Sequence, residues 1–172
     1  MEQSPDGSLW EDARKRRYRR SSLPFLPAME VQDFPPAEGG YIQTVYRGKP
    51  ENLKPYGNAE KVLFSLSQKK IKGGSLKRFW RCEYLGDSVK KVLGEKRDIQ
   101  SFECQRFTEH KKTAALILRE TRTISYSVEL GLNVRQTVVT AKGEKKSKLI
   151  ALFSEKKATA AKIAKLVAKT RK

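Results

Sequence analysis

Between Thr113 and Ala141 the residue pattern admits little except antiparallel strands. Ala114-Ala-Leu-Ile-Leu118 is an unbroken apolar run, and from Thr123 onward apolar Ile124, Tyr126, Val128 and Leu130 alternate with polar Thr123, Ser125, Ser127 and Glu129. A period of two puts the first set on one face of a strand, whereas a helix would scatter it around its circumference. Gly131-Leu-Asn133 then supplies a tight return into Val134-Arg-Gln-Thr-Val-Val-Thr140. A second turn follows at Lys142-Gly-Glu-Lys-Lys146, leading into Lys148-Leu-Ile-Ala-Leu-Phe153.

The same reading extends upstream. Tyr41-Ile-Gln-Thr-Val-Tyr-Arg47 is β-branched and aromatic, and Gly48 with Pro50 ends it. In Lys61 to Ser67, Val62, Phe64 and Leu66 share one side of a half-buried strand. A basic loop, Gln68 to Gly74, leads to a strand at Arg78-Phe-Trp-Arg-Cys-Glu-Tyr-Leu85. Ser88-Val-Lys-Lys-Val-Leu-Gly94 has an N-cap serine and a closing glycine, which predicts a short helix. Arg97 to Phe107 predicts a further strand; Ile99, Phe102, Cys104 and Phe107 break strict alternation, so a bulge is expected there.

The two ends differ from this body. Residues 1–40 hold five of the seven prolines and no periodic apolar pattern, which predicts an extended, largely disordered basic arm. Leu23, Phe25, Leu26, Val31 and Phe34 are its means of strapping onto the body. At the other end, residues 154–172 are rich in Ala and Lys, with Ser154 as N-cap. Ile163, Ala164 and Val167 fall on one side, and Lys162, Lys165 and Lys169 on the other, which predicts a lysine-ridged C-terminal helix. The expected class is therefore α+β: an antiparallel meander of about six or seven strands over 41–153, a short internal helix, an N-terminal arm and a basic C-terminal helix.

Charge limits the partners. Thirty-seven Lys/Arg against 19 Asp/Glu give a formal net charge of +18, which attracts polyanions. No run of about 18 apolar residues predicts a membrane span. The acidic start, Met-Glu-Gln-Ser-Pro-Asp, lacks the apolar core of a secretory signal. Cys82 and Cys104 form no Cys-x-x-Cys, so two reduced, buried thiols in an intracellular protein, cytoplasmic or nuclear, are expected.

Catalytic chemistry finds no support. The one histidine, His110, sits among Glu109, Lys111 and Lys112, the setting of a solvated loop residue rather than of a general base. One His and two Cys do not make a zinc site of usual composition, and no glycine-rich phosphate loop is present. The expectation is a non-enzymatic protein without metal or cofactor.

Nucleic acid, RNA before DNA, is the expected partner. The candidate phosphate-binding residues are Arg14, Lys15, Arg16, Arg17, Arg19 and Arg20 in the arm, and Lys69, Lys70, Lys72, Lys77, Arg78 and Arg81 around the loop and strand. Lys162, Lys165 and Lys169 on the terminal helix complete the set. Phe79, Trp80 and Tyr84 interleave with the second group, where planar side chains suit stacking on unpaired bases. Basic arm, compact β-rich body and lysine-rich end also occur together in ribonucleoprotein-embedded proteins and in small viral capsid, nucleocapsid or matrix proteins, as an analogy of design. The expected function is thus an RNA-binding structural or assembly protein. The alternative is a matrix-like or adaptor protein that self-associates and binds anionic membrane or protein surfaces.

Overall fold

A computed structural model describes residues 3–4, 7–11, 16–20, 23, 25–33, 41–70, 73–149, 165 and 168. They form eleven strands in one sheet, all neighbours antiparallel: β1 (Gln3–Ser4), β2 (Gly7–Glu11), β3 (Arg16–Arg20), β4 (Glu30–Asp33), β5 (Tyr41–Arg47), β6 (Lys61–Lys70), β7 (Ser75–Val92), β8 (Glu95–Glu109), β9 (Leu116–Ser127), β10 (Leu132–Thr140) and β11 (Gly143–Lys148). Spatial order equals chain order, so every pairing is between consecutive strands. A three-residue 3-10 turn, Pro50–Asn52, lies between β5 and β6.

Apart from Lys165 and Ala168, the described residues hold no α-helix, and this antiparallel sheet corrects the expected α+β class. Ser88 to Val92 continues β7 instead of forming a helix, and Val92 pairs with Glu95. Leu93 (φ 52) and Gly94 (φ 94) are the two left-handed residues of a tight hairpin turn. The glycine read as a helix stop is therefore a hairpin corner; both structures demand φ > 0, and the sequence signal is shared. Of the expected C-terminal helix only Lys165 and Ala168 are described, both exposed; the remainder lies outside the described residues.

The core lies on one face of β6 to β9. Val62, Phe64 and Leu66 of β6, Trp80 and Cys82 of β7, Phe102 and Cys104 of β8, and Ile124 and Tyr126 of β9 alternate inward and are buried. Leu53, from the β5–β6 connection, is fully buried against them. So are Leu23, Phe25, Leu26 and Met29, from the β3–β4 connection. The Phe25 ring lies 4.6 Å from Phe102 and 5.7 Å from Tyr126, centroid to centroid. In a flat sheet, with strands about 4.8 Å apart, β4 and β8 stand roughly 19 Å apart. The β3–β4 connection therefore lies as a strap across the apolar face of the intervening strands.

The N-terminal segment, expected to be an extended arm, thus contributes strands β1 to β4 and part of the core. Its apolar residues show no period because Leu23 to Met29 pack from a loop, which has no face to alternate across.

The irregular apolar pattern of β8 has a different cause from the one expected. Ile99 is on the face opposite Phe102 and Cys104, where it forms a second buried cluster with Val92 and Val134. The strand serves two cores, one on each side. The register shifts fall at Tyr84/Gly86, between β7 and β8, and at Arg106/Phe107, between β8 and β9.

Cys82 and Cys104 are directly opposed in the β7–β8 register and joined by a disulfide, with Cα atoms 4.1 Å apart. This corrects the expected pair of reduced thiols, whose separation of 22 residues carries no motif. Only the register, set by the hairpin turn, brings them together. Disulfides persist in oxidising surroundings, so the basis for an intracellular expectation is removed. Among the described residues no helix is long and apolar enough to cross a membrane.

Three outcomes test this packing. Phe25→Ala should destabilise the protein by about 3–5 kcal/mol, read from the urea midpoint, and removal of residues 1–33 should abolish the cooperative transition. Reduction with dithiothreitol should release two thiols titratable after unfolding and lower stability by about 3 kcal/mol, as expected for a loop of this length.

Candidate nucleic-acid interface

In a sequential antiparallel meander, alternate turns lie at the same end of the sheet. The turns β6–β7, β8–β9 and β10–β11 therefore share one end, and each is basic. Lys69 and Lys70 close β6, Lys111 and Lys112 lie in the β8–β9 turn, and Lys142 lies in the β10–β11 turn; all five are exposed. There the core face of the sheet opens into a cleft of about 850 Å³. Arg106, Lys111, Lys112, Arg119 and Lys142 line it, with Glu109 as its acid and His110, Thr108 and Thr140 as neutral polar groups.

The cleft extends the core face. On β8, Phe102, Cys104, Arg106 and Thr108 point to the same side at a period of two. The first two are buried in the apolar cluster, and the last two line the cleft. The transition is made by charge. Glu120 accepts from Arg106 Nη2 at 3.1 Å and from Arg106 Nε at 3.3 Å through Oε2, and from Arg122 through Oε1. Arg122 in turn sits 5.0 Å over the Trp80 ring. Two guanidinium groups against one carboxylate leave this cluster a net positive charge. Burial pushes the Glu120 carboxyl up, but the hydrogen bonds and charges of Arg122 and Arg106 outweigh it and hold the group below its usual value.

Local contacts position the turn. Arg119 donates from Nε to Thr108 Oγ1 at 2.8 Å, which fixes its stem across β8 and β9. The β8–β9 turn is tied by His110 N–H to Ala115 O at 2.8 Å and Ala114 N–H to His110 O at 3.0 Å. The backbone N–H of Thr113 donates to His110 Nδ1 at 3.3 Å. The histidine is thus a structural part of an exposed turn.

The sheet's other face carries a second surface. Arg47, Ser65, Phe79, Phe107 and Leu118 are successive register partners across β5 to β9, a row spanning five strands. On β7, Lys77 and Arg81 flank Phe79 on this face. Lys77 Nζ lies 4.4 Å over the Tyr46 ring, and Arg81 Nη2 donates to Gln105 Oε1 at 2.5 Å.

The residues singled out in the sequence are distributed as follows. Lys69, Lys70, Lys77 and Lys165 are exposed; Arg81 is half-buried on the outer face. Arg78 is half-buried on the core-facing side, with Trp80. Trp80, 3% exposed, stacks on Phe64 with rings 6.3 Å apart, so it is core and not a base platform. Tyr84 packs against Phe102 at 5.6 Å. Arg16, Arg17, Arg19 and Arg20 belong to β3, and of these the Arg17 side chain is described as exposed. Arg14, Lys15, Lys72, Lys162 and Lys169 lie outside the described residues.

Lys111, Lys112 and Lys142 were missed as a group. Their signal was available: basic turns two hairpins apart in a meander meet at one end. Phe107 was missed as a surface residue because its break in alternation with Phe102 and Cys104 reads as a bulge rather than as a second face.

Glu120 links this site to stability. A carboxyl whose folded pKa is depressed contributes stability that is fully present above its usual value of 4.5 and lost as pH falls through the folded value. Glu120→Gln should lower stability at neutral pH by about 1–3 kcal/mol. The gap between parent and variant should close below pH 4.5, read from urea melts across the acid range.

No protein-family model matches the chain, and comparisons with curated proteins and with solved structures likewise gave no match.

Proposed function

We propose that the protein is a non-enzymatic RNA-binding structural or assembly protein that neutralises phosphate backbone. One observation carries the reading: three turns at the same end of the sheet are basic, and two of them border the cleft of about 850 Å³ with five cations and one acid. A concave surface of one charge sign focuses potential and concentrates a polyanion. Lysines on turns suit phosphate rather than base edges, because a point charge on a flexible stem imposes little geometry. The lysines at the ends of β6 and the formal charge of +18 extend the same field. Sequence preference arising from this end of the molecule is accordingly weak.

The test is the salt dependence of binding. With a fluorescent RNA, log K should fall linearly with log salt. The variant Lys111→Gln/Lys112→Gln/Lys142→Gln should bind roughly tenfold or more weakly at low salt, with a slope shallower by about three. These residues are exposed, so the thermal transition should stay in place. Parent protein that ignores RNA and binds anionic liposomes would replace this reading with a membrane-surface one.

A further inference from the structure

We propose that the outer face of β7 and β8 is a stacking floor for unpaired bases, so that the preferred nucleic acid is single-stranded. This rests on the nucleic-acid reading above and adds to it the form of the strand.

The floor is Phe79 and Phe107, direct register partners on adjacent strands and both half-buried. They line a cavity of about 430 Å³ on the sheet face, within the usual size range of small-ligand sites. Leu63 and Leu116 line it too and are 67% and 54% exposed, so large apolar surface stands uncovered beside the rings. Arg47 and Arg81 also line it. An apolar, aromatic slot bordered by guanidinium groups is complementary to a base plane joined to a phosphate.

The geometry along β7 agrees. Lys77 and Arg81 are each two residues from Phe79, about 7 Å along the strand. A backbone crossing the floor thus meets a cation before and after the stacked base. A duplex cannot use this floor, since its base planes are covered by one another and only edges face the grooves. A second copy of this chain is the less favourable occupant, because two such faces bring like charge together on molecules of +18 each.

The experiment compares a uridine oligonucleotide of about twelve residues with an RNA duplex of the same length, by anisotropy. Phe79→Leu and Phe107→Leu retain apolar volume and lose the ring. Each should weaken single-strand binding roughly 5- to 150-fold, leaving duplex binding and the salt slope unchanged. In the unaltered protein, 4-thiouridine in the oligonucleotide should photocrosslink to the peptides containing Phe79 or Phe107, a readout independent of how the variants fold. Equal loss for duplex, no loss for either probe, or crosslinks confined to the Lys111 and Lys142 turns would overturn the proposal and leave phosphate neutralisation standing. A dimer that the leucine variants disperse would overturn it in favour of self-association. Failure of the parent to bind either probe would remove both readings together.

Discussion

The Phe25 ring seated on Phe102 and Tyr126 is the contact that closes the core over the sheet. A sequential meander has no inherent second layer, and its apolar face needs a cover. Here the cover comes from the sheet's own β3–β4 connection, with Leu53 of the β5–β6 connection beside it. A connection from early in the chain thus reaches β8 and β9 and covers the apolar face between, while the same face carries the basic cleft at its far end.

Core and site are therefore one surface at different distances from water. Moving along β8 from Phe102 through Cys104 to Arg106 and Thr108, the same face passes from dry packing to charge. The Arg106–Glu120–Arg122 cluster occupies the boundary, with Arg122 still lying on the Trp80 ring. A carboxylate held between two guanidinium groups tolerates partial burial, because its charge is met by both and its oxygens accept from each. The cleft beyond retains positive charge because the cluster itself sums to a cation.

Strand content in the body was legible because the apolar residues of β6 and β9 that join the main core sit at alternate positions, and alternation records that directly. Val62, Phe64 and Leu66 illustrate it, as do Ile124 and Tyr126. Three features were not legible. Leu23 to Met29 enter the core from a loop, where periodicity carries no information. Ser88 to Gly94 shares its cap and glycine with a helix signature, and only pairing across the turn decides between them. The disulfide depends on register, a property of two strands together that neither strand carries alone. Of the site, the charge was plain and its gathering was not. Lys111, Lys112 and Lys142 come together only through the order of strands, and Phe107 turns outward because it lies an odd number of positions from the inward Phe102 and Cys104.

The strictly sequential strand order carries a consequence for how the chain reaches this structure. Each pairing closes only the loop between consecutive strands, so ordering entropy is spent in small steps and the sheet can grow hairpin by hairpin. The strap is different. Phe25 and Phe102 come from opposite halves of the chain, and bringing them together is worthwhile only once β6 to β9 present a common apolar face. The strapped architecture thus separates a local, rapid stage of strand addition from a nonlocal stage of closure, and until that second stage the ribbon's greasy side stands open to other chains.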